Sequence, residues 1–178
     1  MSAATDVSFA EMRVAKVVGF QLPGQEGHTY VVLDEVAGTR HMVVGIGDTE
    51  AFLLTAGLQG MQWPRPMTYD FTAALVRGLG GQVRQVRLDR VLDGAYAATV
   101  EVDGPVGTAH IDARMSDALN LAVVLGAPVF ADQQILADCD AWLAGDSAAA
   151  ARGRLALTAE QGTIRRADDQ PGGQGHGG

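Results

Sequence analysis

Four carboxylates and two arginines stand in segments whose neighbours suit chemistry. Glu50 closes Gly47-Asp48-Thr49-Glu50, Asp70 follows Thr68-Tyr69, and Asp112 and Asp117 bracket Ala113-Arg114-Met115-Ser116. Arg65 lies between Pro64 and Pro66. Carboxylates in such settings can take a proton from water or share a divalent cation such as Mg²⁺ or Mn²⁺, so Glu50, Asp70, Asp112 and Asp117 are the metal-ligand candidates. The forked guanidiniums of Arg65 and Arg114 match phosphate oxygens, and the hydroxyls of Thr68 and Ser116 add hydrogen bonds. Each residue also has a plainer reading. Glu50, Asp70 and Asp117 fall in the first turn of an expected helix, where a carboxylate caps free N–H groups and complements the dipole. Arg114 and Asp117 are spaced for an ion pair across a helix start. Arg65 suits a buried ion pair that fixes its loop, and Asp112 suits a strand end.

The elements that position these residues follow from the hydrophobic pattern. Residues 12–20, 28–36 and 40–46 are β-branched and partly alternating, which predicts three strands, with a tight turn at Ala37-Gly38-Thr39. Asp48 or Thr49 can then cap a helix that runs to about Leu58 and stops at Gly60. Pro64 and Pro66 make a rigid extended segment. Thr68 or Asp70 can cap a second helix that turns Phe71, Leu75 and Leu79 to one face, which predicts that this face is buried. Strands are expected around Val83–Val91, Tyr96–Val102 and Thr108–Asp112, with a hairpin turn at Asp93-Gly94. Ser116 and Asp117 open a helix to Leu125, closed by Gly126. A short strand at Pro128–Phe130 and helices over Ala131–Leu143 and Ala148–Glu160 complete the reading.

Two stretches repeat. Thr49-Glu50-Ala51-Phe52-Leu53-Leu54 is similar to Ser116-Asp117-Ala118-Leu119-Asn120-Leu121, and Gly38-Thr39-Arg40-His41 is similar to Gly107-Thr108-Ala109-His110. The order strand–strand–strand–helix therefore occurs twice. This predicts an α+β fold with a mixed or antiparallel sheet flanked by helices.

Three segments together resemble one family. They are Val44-Gly45-Ile46-Gly47 with Glu50-Ala51; Pro64-Arg65-Pro66-Met67-Thr68-Tyr69-Asp70-Phe71; and Asp112 to Ala122 with Gly126-Ala127-Pro128-Val129. As a set they look like the bifunctional nuclease domain family, also catalogued as a domain of unknown function, over roughly residues 12–137. The name refers to combined DNase and RNase activity attributed to plant members. The resemblance implies a nuclease that hydrolyses phosphodiester bonds of DNA or RNA. Asp70, Asp117 and Glu50 would be catalytic, and Arg65, Arg114, Thr68 and Ser116 would bind substrate. The sequence departs from the family pattern in three places. Tyr69 stands where the family usually has His, Met115 where it has Pro, and Gly45 where an aromatic residue is common. Tyrosine, with an ordinary pKa of about 10, is a poor base and does not simply replace histidine.

Composition narrows the alternatives. Thirteen basic and 21 acidic residues give a net charge of −8, which lacks the footprint of a protein that grips nucleic acid by bulk charge. One cysteine, Cys139, excludes an internal disulfide framework and a cysteine-based zinc site. His28, His41 and His110 fall on expected strands without ligand spacing. The N-terminus lacks the charged and apolar regions of a signal peptide, and the longest apolar stretch, Leu119 to Ala131, is too short to span a bilayer, so a cytoplasmic chain without membrane contact is expected. The expected organisation is the nuclease-like domain at 12–137, a helical extension at 138–160 and a disordered Gly-rich tail at 161–178. Two other readings stand beside the nuclease. One is a non-catalytic, homo-oligomeric binding or regulatory module whose motif residues are caps and ion pairs. The other is an enzyme acting on a small anionic metabolite.

Overall fold

The structure, a computed structural model, describes residues 8–20 and 27–160. The expected tail at 161–178 lies outside them. The strands are β1 (Phe9–Phe20), β2 (His28–Glu35), β3 (His41–Ile46), β4 (Gln82–Leu92), β5 (Ala95–Gly104), β6 (Gly107–Arg114) and β7 (Val129–Asp132). The helices are α1 (Asp48–Leu58), α2 (Thr68–Gly78), α3 (Met115–Leu125), α4 (Gln133–Ala144) and α5 (Ala148–Thr158). The fold is α+β, built on a seven-stranded sheet in the order β3-β2-β1-β7-β4-β5-β6.

The sequence repeat is a structural one. β1-β2-β3-α1 and β4-β5-β6-α3 are each an antiparallel meander followed by a helix. β7 joins the two halves, antiparallel to β1 and parallel to β4. Strands β3 and β6 are therefore the outer edges of the sheet. The two halves nevertheless meet at the helices that follow these strands: α1 and α3 pack together, and Arg114, which ends β6, donates to Glu50 of α1.

Strand β2 explains how the sheet is anchored. Its residues 30–33 are all buried, as in a strand covered on both faces. Val31 and Leu33 join the main core with Met42, Leu54, Leu119 and Leu136. Tyr30 and Val32, which alternation turns to the opposite face, pack with Val18, Val43 and Ala156 of α5. α1 and α3 lie against each other on the sheet, which sets their N-termini side by side.

One expected core face is not in the core. Phe71, Leu75 and Leu79 do share one side of α2 and its C-cap, but they are 61%, 50% and 72% exposed. Ala73 is the α2 residue that is buried. α2 rests on α3 with Ala73 buried and Val76 packed against the core, which leaves the larger side chains turned outward. The caps also differ from expectation. Gly47, Met67 and Arg114 are the N-caps of α1, α2 and α3, none with a side-chain cap bond of its own. Asp48 instead accepts from the Thr29 hydroxyl at 2.8 Å.

Candidate active site

Three of the residues singled out from the sequence, together with Tyr69, meet at one point. Arg114 donates from Nε to Asp117 Oδ2 at 2.7 Å and from Nη2 to Asp117 Oδ1 at 2.9 Å. The same Nη2 donates to Glu50 Oε1 at 2.9 Å. Tyr69 donates its hydroxyl proton to Asp117 Oδ1 at 2.7 Å. Local structure explains each placement. Arg114 is the last residue of β6 and the N-cap of α3, so Asp117 lies one turn away in the first turn of the same helix. Glu50 occupies the matching first turn of α1. Tyr69 is in the first turn of α2, which leans on α3.

The repeat makes this geometry intelligible. Asp117 is the counterpart of Glu50, and the counterpart of Arg114 at the same offset is Gly47. One guanidinium therefore serves two equivalent carboxylates. A Cβ at Gly47 would run into Glu50 Oε2, so the glycine leaves the room that lets Glu50 reach across.

Asn120 closes the junction from behind. It is 1% exposed and donates from Nδ2 to the carbonyls of Glu50 (3.1 Å) and Ser116 (3.0 Å). Its role was not foreseen from the sequence. The signal was there: it is the one asparagine of the chain, set among Leu and Ala in an apolar helix. A buried amide in such a place needs partners, and here they lie in the two repeats.

The electrostatics follow from the contacts. Burial pulls the Asp117 carboxyl up, but the hydrogen bonds from Arg114 and Tyr69 outweigh it and hold the group below the ordinary value of 3.8. Burial, the bond to Asp117 and the nearby Glu50 charge all push the Tyr69 phenol up, so it keeps its proton throughout the neutral range. The hydrogen bonds to Asp117 and Glu50 raise Arg114 further above its already high value. At neutral pH Asp117 is a carboxylate, Arg114 a guanidinium and Tyr69 a neutral phenol. Arg114 is 68% exposed, and its Nη1 makes no hydrogen bond among the described residues.

The cluster stands at a cleft of about 730 Å³ where the two halves face each other. Glu50, Arg114 and Ser116 line it together with apolar walls from β3, the β4–β5 turn and Trp142 of α4. This is the size and character of a small-ligand site.

The remaining expected site residues are placed elsewhere or otherwise engaged. Asp70 Oδ2 accepts from the Met67 backbone N–H at 3.0 Å, the helix-capping role. Asp112 is held by Arg90 at 2.5 Å. Arg65 is exposed, without an ion pair among the described residues, so the buried pair expected for it is not formed. Thr68 is exposed at the start of α2, and its carbonyl accepts from Thr72. Ser116 lines the cleft.

The donor set does not fit a preformed divalent-cation site. Among the described residues no three His, Cys, Asp or Glu side chains are grouped to hold a metal ion. Glu50 and Asp117 converge, but the guanidinium of Arg114 occupies the place between them. Cys139 is buried in α4, where burial pushes its thiol up, so it is an inert core residue. No described helix is long and apolar enough to cross a membrane.

Comparison with known proteins accounts for the motif set. The bifunctional nuclease domain model matches residues 31–142. The chain belongs to the bifunctional nuclease domain family. An uncharacterized protein of Mycobacterium tuberculosis is 29% identical over 126 residues, which is 71% of this chain and 75% of that one. Bifunctional nuclease 1 of Arabidopsis thaliana is 31% identical over 116 residues, covering 62% of this chain and 35% of the plant protein. Bifunctional nuclease 1 of Oryza sativa subsp. japonica is 24% identical, again over about a third of its length (34%). The matched region contains Glu50, Tyr69, Arg114 and Asp117.

Proposed function

We propose that this chain hydrolyses phosphodiester bonds of DNA or RNA at the Glu50–Tyr69–Arg114–Asp117 cluster. One observation carries the reading: an exposed, permanently charged Arg114, whose Nη1 makes no hydrogen bond among the described residues, lines a cleft and is held by two carboxylates. Nη1 and the Ser116 hydroxyl are the donors for the phosphate oxygens. Glu50 and Asp117 are hydrogen-bond acceptors beside them, and Glu50, which lines the cleft, is the group to take a proton from an attacking water. Tyr69 stays protonated and pins Asp117. Asp70 serves by capping the helix that carries Tyr69. The plant relatives named as nucleases support this reading.

The surplus of one negative charge in the cluster favours a second reading, a non-catalytic module whose Arg114 is a tie between the repeats. Purified protein incubated with single-stranded DNA, duplex DNA and RNA, with Mg²⁺, Mn²⁺ or chelator, decides between them. Cleavage that falls by about 10²–10³-fold in Arg114→Ala and in Asp117→Asn, both still folded, is the expected result. No cleavage by the wild type under any condition leaves the binding module. Cleavage unchanged in both variants rejects this site.

A further inference from the structure

The cleft has two chemically different ends. Arg114, Ser116 and Glu50 stand where β3 gives way to α1 at Gly47. Asp138 of α4 stands by the other end of the lining stretch of β3: Cys139, its neighbour in the helix, donates from Sγ to the Val43 carbonyl at 3.9 Å. Val43 and Gly47 are four residues apart, about 13 Å along an extended strand. Between the ends the walls are apolar and aromatic. Ile46 comes from β3, Tyr96 from β5 and Trp142 from α4. Trp142 is backed by α5, where a Cβ at Gly153 would run into its six-membered ring, so the indole is held in place before any ligand arrives. At the α4 end, Gln134 donates from Nε2 to Asp138 Oδ1 at 2.9 Å, which orients the carboxyl group. Asp138 Oδ2 makes no hydrogen bond among the described residues.

We propose that the cleft binds one guanine nucleotide, with its phosphate on Arg114 and Ser116 and the donor edge of its base on Asp138. The phosphate end rests on the reading of Arg114 given above; the base end does not. A guanidinium and a hydroxyl at one end, and an acceptor at the other, call for a ligand with an anion at one tip and N–H groups at the opposite tip. The length of the cleft leaves room for a phosphate, a sugar and a base in series. A flat base suits aromatic walls, since every base has a π-face that stacks on Tyr or Trp. The acceptor at the far end then selects among bases. Guanine carries its N1–H and its N2 amino group side by side, two donors for one carboxyl group. Uracil and thymine set their ring N–H between two carbonyls, which would face the Asp138 oxygens acceptor to acceptor. Adenine and cytosine set their amino group beside a ring-nitrogen acceptor. Guanine is therefore the base that brings no acceptor against Asp138. In a bound strand the cleft fixes which base lies beside the phosphate attacked, so cleavage falls next to guanine.

Calorimetric titration of the full chain with GMP, AMP, CMP and UMP reads the base end without any cleavage. GMP is expected to bind about tenfold tighter than the other three. Guanosine, which lacks the phosphate, should bind about tenfold weaker than GMP, and Arg114→Ala should remove that difference. Asp138→Asn is the deciding variant. Its amide presents an N–H where the carboxyl group presented an oxygen, so it should lose GMP and gain xanthosine 5′-monophosphate, whose base has a carbonyl in place of the N2 amino group. An Asp138 with only a structural part would not exchange one base for another. Circular dichroism establishes that both variants are folded. Sequencing the ends of DNA and RNA fragments then reads the same choice in cleavage, with cuts expected beside guanine in the wild type. A chain that selects GMP and exchanges it in Asp138→Asn, yet cleaves nothing, upholds the pocket and rejects only the nuclease reading. Cleavage indifferent to base overturns the pocket and leaves the nuclease reading standing. No binding of GMP at millimolar concentration also overturns the proposal, as does a base preference that Asp138→Asn leaves unchanged.

Discussion

Glu50 and Asp117, matching residues of two repeats, are held by the same guanidinium, that of Arg114, at 2.9 and 2.7 Å. The duplication supplies two first-turn carboxylates, and the loss of symmetry at Gly47 leaves one cation between them. Where the halves of the molecule join, the site and the junction are one object.

Gly47→Ala tests that asymmetry. The added methyl meets only the far end of the Glu50 side chain, which can swing away. The melting temperature should hardly change, while any cleavage should fall about tenfold as Glu50 leaves Arg114. A calorimetric scan beside an activity assay separates the two effects.

Asn120→Leu should do the reverse. It removes two hydrogen bonds to carbonyls and leaves both acceptors under-satisfied at a buried site. A cost of about 1–3 kcal/mol is expected, read from urea unfolding.

Tyr69 is the informative substitution for chemistry. Tyr69→Phe deletes only the hydroxyl on Asp117 and should release that carboxylate upward in pKa. Tyr69→His restores the residue usual in the family pattern. If a base at this position limits the reaction, Tyr69→His raises cleavage, with an acid limb near the ordinary histidine pKa of about 6.5. An activity unchanged over pH 5–8 in that variant would assign the position a structural part.

The pH dependence of stability has a definite sign. Asp117 has a lower pKa folded than unfolded, so the unfolded state binds its proton first as acid is added. Its stabilisation is present above the unfolded value near 3.8 and is lost as pH falls through the folded one. Denaturant midpoints of the wild type should therefore drop faster below pH 4 than those of Asp117→Asn.

The outward face of α2 gives a contrast with core substitutions. Leu75→Ser and Leu79→Ser should each change stability by no more than about 0.5 kcal/mol, because neither side chain is buried. Leu54→Ala and Leu119→Ala, fully buried, should each cost about 2–5 kcal/mol in the same unfolding experiment.

Much of this architecture is legible in the chain because it rests on local or near-local rules. β-Branched apolar runs mark β2 and β3, Asp93-Gly94 marks the β4–β5 turn, and Gly126 at φ 66° ends α3 in the left-handed conformation that favours glycine. The repeat from Thr49 and Ser116 announces two β-β-β-α units, and Arg114 with Asp117 announces an ion pair three residues apart. What the chain does not announce are relations of distance. Period alone cannot say which side of α2 meets α3, so Phe71, Leu75 and Leu79 read as core although Ala73 and Val76 are on the side that packs inward. The meeting of Glu50 with Arg114, 64 residues apart, depends on the packing of α1 against α3. Capping, ion pairing and catalysis draw on the same carboxylates, and only the tertiary structure could send Asp70 to a backbone N–H, Asp112 to Arg90, and Glu50 with Asp117 to the guanidinium of Arg114.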